Sequence, residues 1–192
     1  MAIEKSEILA IINSRLNRAE TDIDEEIRSV LYDISTRANF INKEATADTT
    51  ASTNYYAVPA DFKDMTVIKA DDATPLDKIT FENFQKKIAE VTGTSEPNEY
   101  SIKNDFIWLY PNPDKVYTLT MFYSIFHPND VDTIEFGELF RECIYQGVLA
   151  KICEKYEDWT AVSSHMTLYE AEIQKRKDAL DEPMFFLKGN NI

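Results

Sequence analysis

Two histidines, two cysteines and 34 acidic residues are the side chains of this 192-residue chain from which a reactive site would be built. His127 and His165 offer acid–base or metal-binding chemistry, and Cys143 and Cys153 offer nucleophiles or ligands. Paired carboxylates offer a general acid and base. Each role needs a partner at the right spacing. His127 precedes Pro128 at the end of an expected strand, and His165 falls on the polar side of an expected helix. Neither has a cysteine, serine or carboxylate partner by spacing, so both read as surface or internally satisfied residues. Asp24, Glu25 and Glu26 cluster, but no histidine or further acid follows at ligand spacing. The cluster reads as compensation of a helix dipole.

The motifs of common chemistries are missing. There is no phosphate loop, dinucleotide fingerprint, nucleophile elbow, HExxH or zinc-type Cys/His spacing. Glycine occurs only at Gly93, Gly137, Gly147 and Gly189, and none clusters. Catalytic, cofactor and metal residues are therefore expected to be none, and the chain is expected not to be an enzyme. The formal net charge of −14 argues against a protein that binds nucleic acid by neutralising phosphates. The one short basic run, Lys175-Arg176-Lys177, reads as a solvated last helical turn. Cys143 and Cys153 are ten residues apart on one expected helix, about 15 Å, too far for a disulfide, and read as free buried thiols in a reducing compartment. No signal peptide is apparent, and no run approaches the roughly 20 apolar residues of a membrane span, so synthesis in a cytoplasm is expected.

The elements that would position these residues follow from periodicity. Ile8, Ile12, Leu16 and Ala19 make a helical stripe over about 4–19, and Ile23, Ile27, Val30, Leu31 and Ile34 make a second after a break at Thr21-Asp22. Residues 42–54 have no periodicity and no large apolar residue, and predict a long exposed loop that is either a connector or a segment ordered by a partner. Strands are expected at 55–58 and 65–70, with a short edge at Pro75-Leu76. Thr80 is placed as the N-cap of a helix to about residue 90. Alternating residues from Ile102 to Tyr123, with turns at Asn104-Asp105 and 111–114, predict a three-strand meander. A broadly apolar central helix is expected from Ile134 to about Lys155, with Gly147 and Ala150 allowing a close neighbour. Trp159, Val162, Met166, Tyr169, Ile173 and Leu180 then give a narrow coiled-coil-like seam, stopped by Pro183.

These elements predict an α+β, mainly α fold: a bundle of four long helices with a small antiparallel β-sheet subdomain inserted and an extended C-terminal tail. The expected divisions are N-terminal helices over 1–41, a flexible loop over 42–54, a β-rich insert with one short helix over 55–128, C-terminal helices over 129–182 and a tail over 183–192.

In its order of elements the chain resembles the head–tail adaptor (connector) proteins of short-tailed bacteriophages. The resemblance is carried by Tyr55-Tyr56-Ala57-Val58-Pro59-Ala60-Asp61-Phe62, Thr74-Pro75-Leu76, Glu96-Pro97-Asn98-Glu99-Tyr100, Ile107-Trp108-Leu109-Tyr110-Pro111-Asn112-Pro113 and the strand Tyr117 to Tyr123. Two long helices follow, the second with Tyr169 in a Tyr-x-x-x-Ile pattern. The resemblance covers roughly 1–182. The family's C-terminal extension is often longer than the ten or so residues here.

The resemblance implies a structural virion protein at the head–tail junction: a homo-oligomeric ring, a dodecamer, joining the portal protein to tail or second ring proteins and lining the DNA channel. No membrane contact is implied, and DNA passes through without specific binding. The alternatives are another neck or tail-completion ring protein, a tail-associated hydrolase, or a host-encoded adaptor. Pro183, Met184, Phe185, Phe186, Leu187 and Ile192 are the expected portal contact, because an apolar run beyond the last helix has no core of its own to join. Asp130, Asp132, Glu135 and Glu138 are the expected acidic lining of the channel, or equally an acidic helix N-terminus.

Overall fold

The computed structural model describes residues 3–71, 73–90 and 93–181. The chain divides into two compact units, one of Met1–Phe40 with His127–Ile192, the other of Ile41–Phe126.

The first unit is helical: α1 (Lys5–Leu16), α2 (Asp24–Arg37), α4 (Arg141–Lys155) and α5 (Trp159–Asp181), with α3 belonging to the other unit. α4 is the hub and packs against α1, α2 and α5. Its run from Cys143 to Ala150 is buried without a break, so every face is covered. That is the expected fate of a helix apolar around most of its circumference. Gly147 sets how closely α4 meets its neighbours. A Cβ built there would lie 2.7 Å from Val30 Cγ1 on α2 and 3.0 Å from Tyr169 Cε2 on α5. Asn17 ends α1 in the left-handed conformation at φ 50°. Asn13 then ties the turn by exchanging two hydrogen bonds with the Glu20 backbone, at 2.9 and 2.7 Å. Asp158 caps α5 by accepting from Ala161 N–H at 3.1 Å.

The seam on α5 is only partly buried. Tyr169 and Ile173 are enclosed, while Trp159 and Leu180 at its ends are 62% and 51% exposed. The helix outruns its supports, so a 3–4 spacing that continues in sequence finds nothing to pack on at either end.

The second unit holds seven strands in two sheets, with α3 (Phe81–Glu90). One sheet is three-stranded and antiparallel, in the order β1 (Asn42–Asp48), β7 (Thr118–Ile125), β3 (Phe62–Ala70). The other has the order β2 (Tyr55–Ala57), β6 (Phe106–Tyr110), β5 (Glu99–Lys103), β4 (Asp77–Lys78), with only the β4–β5 pair parallel. α3 lies on this sheet. Phe84 is fully buried, with its ring 5.7 Å from that of Trp108. The expected cap is present, since Thr80 Oγ1 accepts from Asn83 N–H at 3.3 Å.

Four expectations need correction. The fold is not a bundle of four long helices with a small sheet inserted, because the described residues form five helices and two sheets, with 25% of the chain in strands against 43% helical. The meander does not exist as such. β5 and β6 form the predicted hairpin, through Asn104 and Asp105 at φ 54° and 61°, but β7 pairs in the other sheet. Pro111 and Pro113 supply no N–H to a ladder, so the chain leaves β6 before its next strand. Residues 42–54 are not one long loop. β1 pairs with β7 residue for residue, and the turn after it is tied by Thr49, whose N–H donates to Tyr117 O and whose Oγ1 accepts from Tyr117 N–H, both at 2.8 Å. Finally, the central helix starts at Arg141 after a 3-10 turn (Glu138–Phe140), not at Ile134.

Candidate functional site

The segment 127–141 carries the acids expected to meet DNA. It is irregular, and its course is fixed by apolar anchors. Val131, Ile134 and Phe136 are buried, and Ile134 forms an antiparallel bridge with Ile3. Between the anchors Asp130, Asp132 and Glu135 stay exposed, as does Glu138 beyond them. Asp130 accepts from Asp132 N–H at 2.9 Å. Asp132 lies 3.6 Å from Lys5, which also meets Asp24 at 2.7 Å. Glu138 lies 2.6 Å from Arg141, which also contacts Glu7. Two of the four acids therefore share a cation, and none belongs to the first turn of α4.

His127 pins the start of this segment. It is buried, its N–H donates to Ser35 Oγ at 2.9 Å, and its ring stacks on Phe136 at 5.4 Å. Nε2 accepts from Glu135 N–H at 2.9 Å, which places the ring proton on Nδ1, 2.7 Å from Pro128 O. Burial pushes its pKa below the ordinary value, against the upward pull of the Pro128 carbonyl, Glu135 and Asp130. An imidazole that must accept a backbone N–H is kept neutral as a structural tie.

The remaining reactive groups are likewise occupied. His165 Nδ1 lies 2.7 Å from Gln146 Oε1, and burial and then Arg15 lower its pKa. Both cysteines are free and buried. Burial pushes the Cys143 thiol up to about 12, and raises Cys153 as well, which suppresses thiolate. Among the described residues no group of three His, Cys, Asp or Glu could hold a metal ion, and no helix is long and apolar enough to cross a membrane. A cavity of about 180 Å³ opens beside Gly147, with Val30, Asp33, Met166 and Tyr169 in its wall. Tyr169 donates to Asp33 at 2.6 Å there, and Arg37 joins Asp33 and Glu170 at 3.2 and 3.0 Å.

The expected portal contacts Pro183, Met184, Phe185, Phe186, Leu187 and Ile192 lie outside the described residues. Sequence reasoning missed the long-range pairs, such as Arg15 with Glu142 at 3.0 and 3.1 Å, because nothing local encodes them. It also missed β1. A signal existed there, since Ala45 and Ala47 alternate with Glu44, Thr46 and Asp48 at period two, but alanine is too small to register as an apolar face.

Compared with known protein families, residues 5–185 match the family described as SU10 adaptor protein. No curated protein matches the chain.

Proposed function

The chain belongs to the SU10 adaptor protein family and so is a phage adaptor, a structural component of the virion; from that premise we propose that copies of it close into a ring beneath the portal, join it to the tail proteins, and surround the path of the DNA. The observation that carries this reading is the family match across 181 of 192 residues, since both compact units fall within it. Charge supports it. A net −14 suits a wall that DNA must slide past, because each lysine or arginine bound to phosphate displaces counterions and resists movement.

In this reading the exposed acids Asp130, Asp132, Glu135 and Glu138 face the channel. Asp130 and Glu135 are the principal pair, since Lys5 and Arg141 partly neutralise the other two. The test has two stages. Mass photometry of portal mixed with the chain should show a discrete added mass of several copies, and free chain only would refute the ring. Particles carrying all four acids replaced by lysine should then eject DNA more slowly at low salt than at high salt. Unchanged ejection at low salt would remove these residues from the channel.

A further inference from the structure

The three-stranded sheet has two unlike edges. β3 is blunted: its pairing with β7 slips between Phe62 and Asp64 and again between Met65 and Val67. Such bulges are a usual protection against unwanted strand pairing. β1 has no such device. It pairs with β7 from Asn42–Ser124 to Asp48–Thr118 without a break, and contains no proline.

The direction of its free hydrogen-bonding groups follows from the ladder. Ile41 O accepts from Ile125 N–H, and Thr49 N–H donates to Tyr117 O, so odd-numbered positions face β7. Antiparallel alternation then turns the backbone N–H and C=O of Asn42, Glu44, Thr46 and Asp48 outward, and all four residues are exposed. The apolar face is also unfinished at this edge. Met65, Ile68 and Ala70 on β3 and Leu119, Met121 and Tyr123 on β7 are buried, but the row ends on half-buried Lys43, Ala45 and Ala47. The two alanines leave a step that larger side chains on an added strand would fill.

We propose that the chain's own C-terminal segment, from a neighbouring copy, adds as a strand along β1. Eleven residues follow Asp181, enough to span at most about 36 Å, and pairing along β1 uses about seven of them. Phe185 and Leu187 are two apart, so on a strand they share the face that meets Ala45 and Ala47. Met184, Phe186 and Lys188 take the other face, where Lys188 meets the acids Glu44 and Asp48. Ring closure requires two different surfaces of one chain to meet, and an open edge and a terminal segment are such a pair. The inference rests on the ring reading and names the contact that closes it.

The test is amide exchange of 42–48 in the isolated full-length chain and in the complex with portal. Complex formation should slow exchange at this edge by at least about tenfold. Neither a chain lacking 183–192 nor Thr46→Pro should show that slowing. The proline removes an outward N–H and leaves the β7 ladder intact, and circular dichroism checks that it folds. A ring with unchanged exchange at 42–48 overturns the inference and leaves the ring reading standing. Equal slowing without 183–192 also overturns it, and assigns the edge to another strand. A truncated chain that loses portal binding, while wild-type rings show no slowing, returns the segment to the portal. Failure of the wild type to form any ring overturns both readings.

Discussion

Replacing Gly147 by alanine tests how the helical unit is packed. The added Cβ would lie 2.7 Å from Val30 Cγ1, 3.0 Å from Val30 Cγ2 and 3.0 Å from Tyr169 Cε2. Neither neighbour yields easily. Val30 is β-branched and held to one side-chain rotamer on its helix. Tyr169 is fixed at its far end by the 2.6 Å bond to Asp33. Overpacking a core by one carbon costs about 1–3 kcal/mol. Alanine's better helix propensity returns about 1 kcal/mol. The net expectation is a loss of roughly 1–2 kcal/mol, a fall of about 2–8 °C in Tm for a chain of this size. Val30→Ala alone should also destabilise, by emptying part of the contact. In combination the two should be less damaging than their sum, because the valine methyl groups that clash with the added Cβ are gone. Urea unfolding followed by circular dichroism gives all four corners of the cycle. A Gly147→Ala chain as stable as wild type, or a strictly additive double variant, would refute the close approach of α2, α4 and α5 at this point.

Three further outcomes are expected. Because the His127 pKa is depressed in the folded chain, the unfolded state takes up the proton first; stability should be flat above about pH 6.5, fall on acidification below it, and level off below the folded pKa. His127→Gln should lose that share of the acid slope in urea titrations run at several pH values, and an unchanged slope would deny the neutral tie to Glu135. Glu142 is held below the ordinary carboxylate range by the hydrogen bonds of Arg15, against the upward effect of burial, and further by Gln146. Arg15→Gln should raise its titration in carboxyl NMR while changing stability by no more than about 1 kcal/mol, since both side chains are part-exposed. Thr80→Ala should destabilise the β-rich unit by about 1 kcal/mol through loss of its cap, and no change in unfolding would show the 3.3 Å bond to be inert.

What could be read from sequence was local. Helices α1 and α2 announced themselves through Ile8, Ile12, Ile27 and Ile34, all buried. The hairpin at Asn104-Asp105 did so through residues that tolerate positive φ. Which strand pairs with which was not local. The alternation of Leu119, Met121 and Tyr123 marks β7 as a strand but not as the centre of a second sheet. Ile134 and Phe136 fit a helical spacing with Leu139 and Phe140, yet they serve as anchors of an irregular segment, because spacing of two or three residues satisfies both. The same holds for the candidate site. The exposure of Asp130, Asp132, Glu135 and Glu138 was legible from their type, but the ties to Lys5 and Arg141 and the burial of His127 depend on chain crossings far away in sequence.

The central claim is assembly on the portal, and cryo-electron microscopy of purified portal mixed with the full-length chain tests it most directly. The account predicts a closed ring coaxial with the portal at its tail-facing end, into which copies of the helical unit and the β-rich unit each fit as separate bodies. Portal particles bare at that end, with the chain left free in solution, would contradict it.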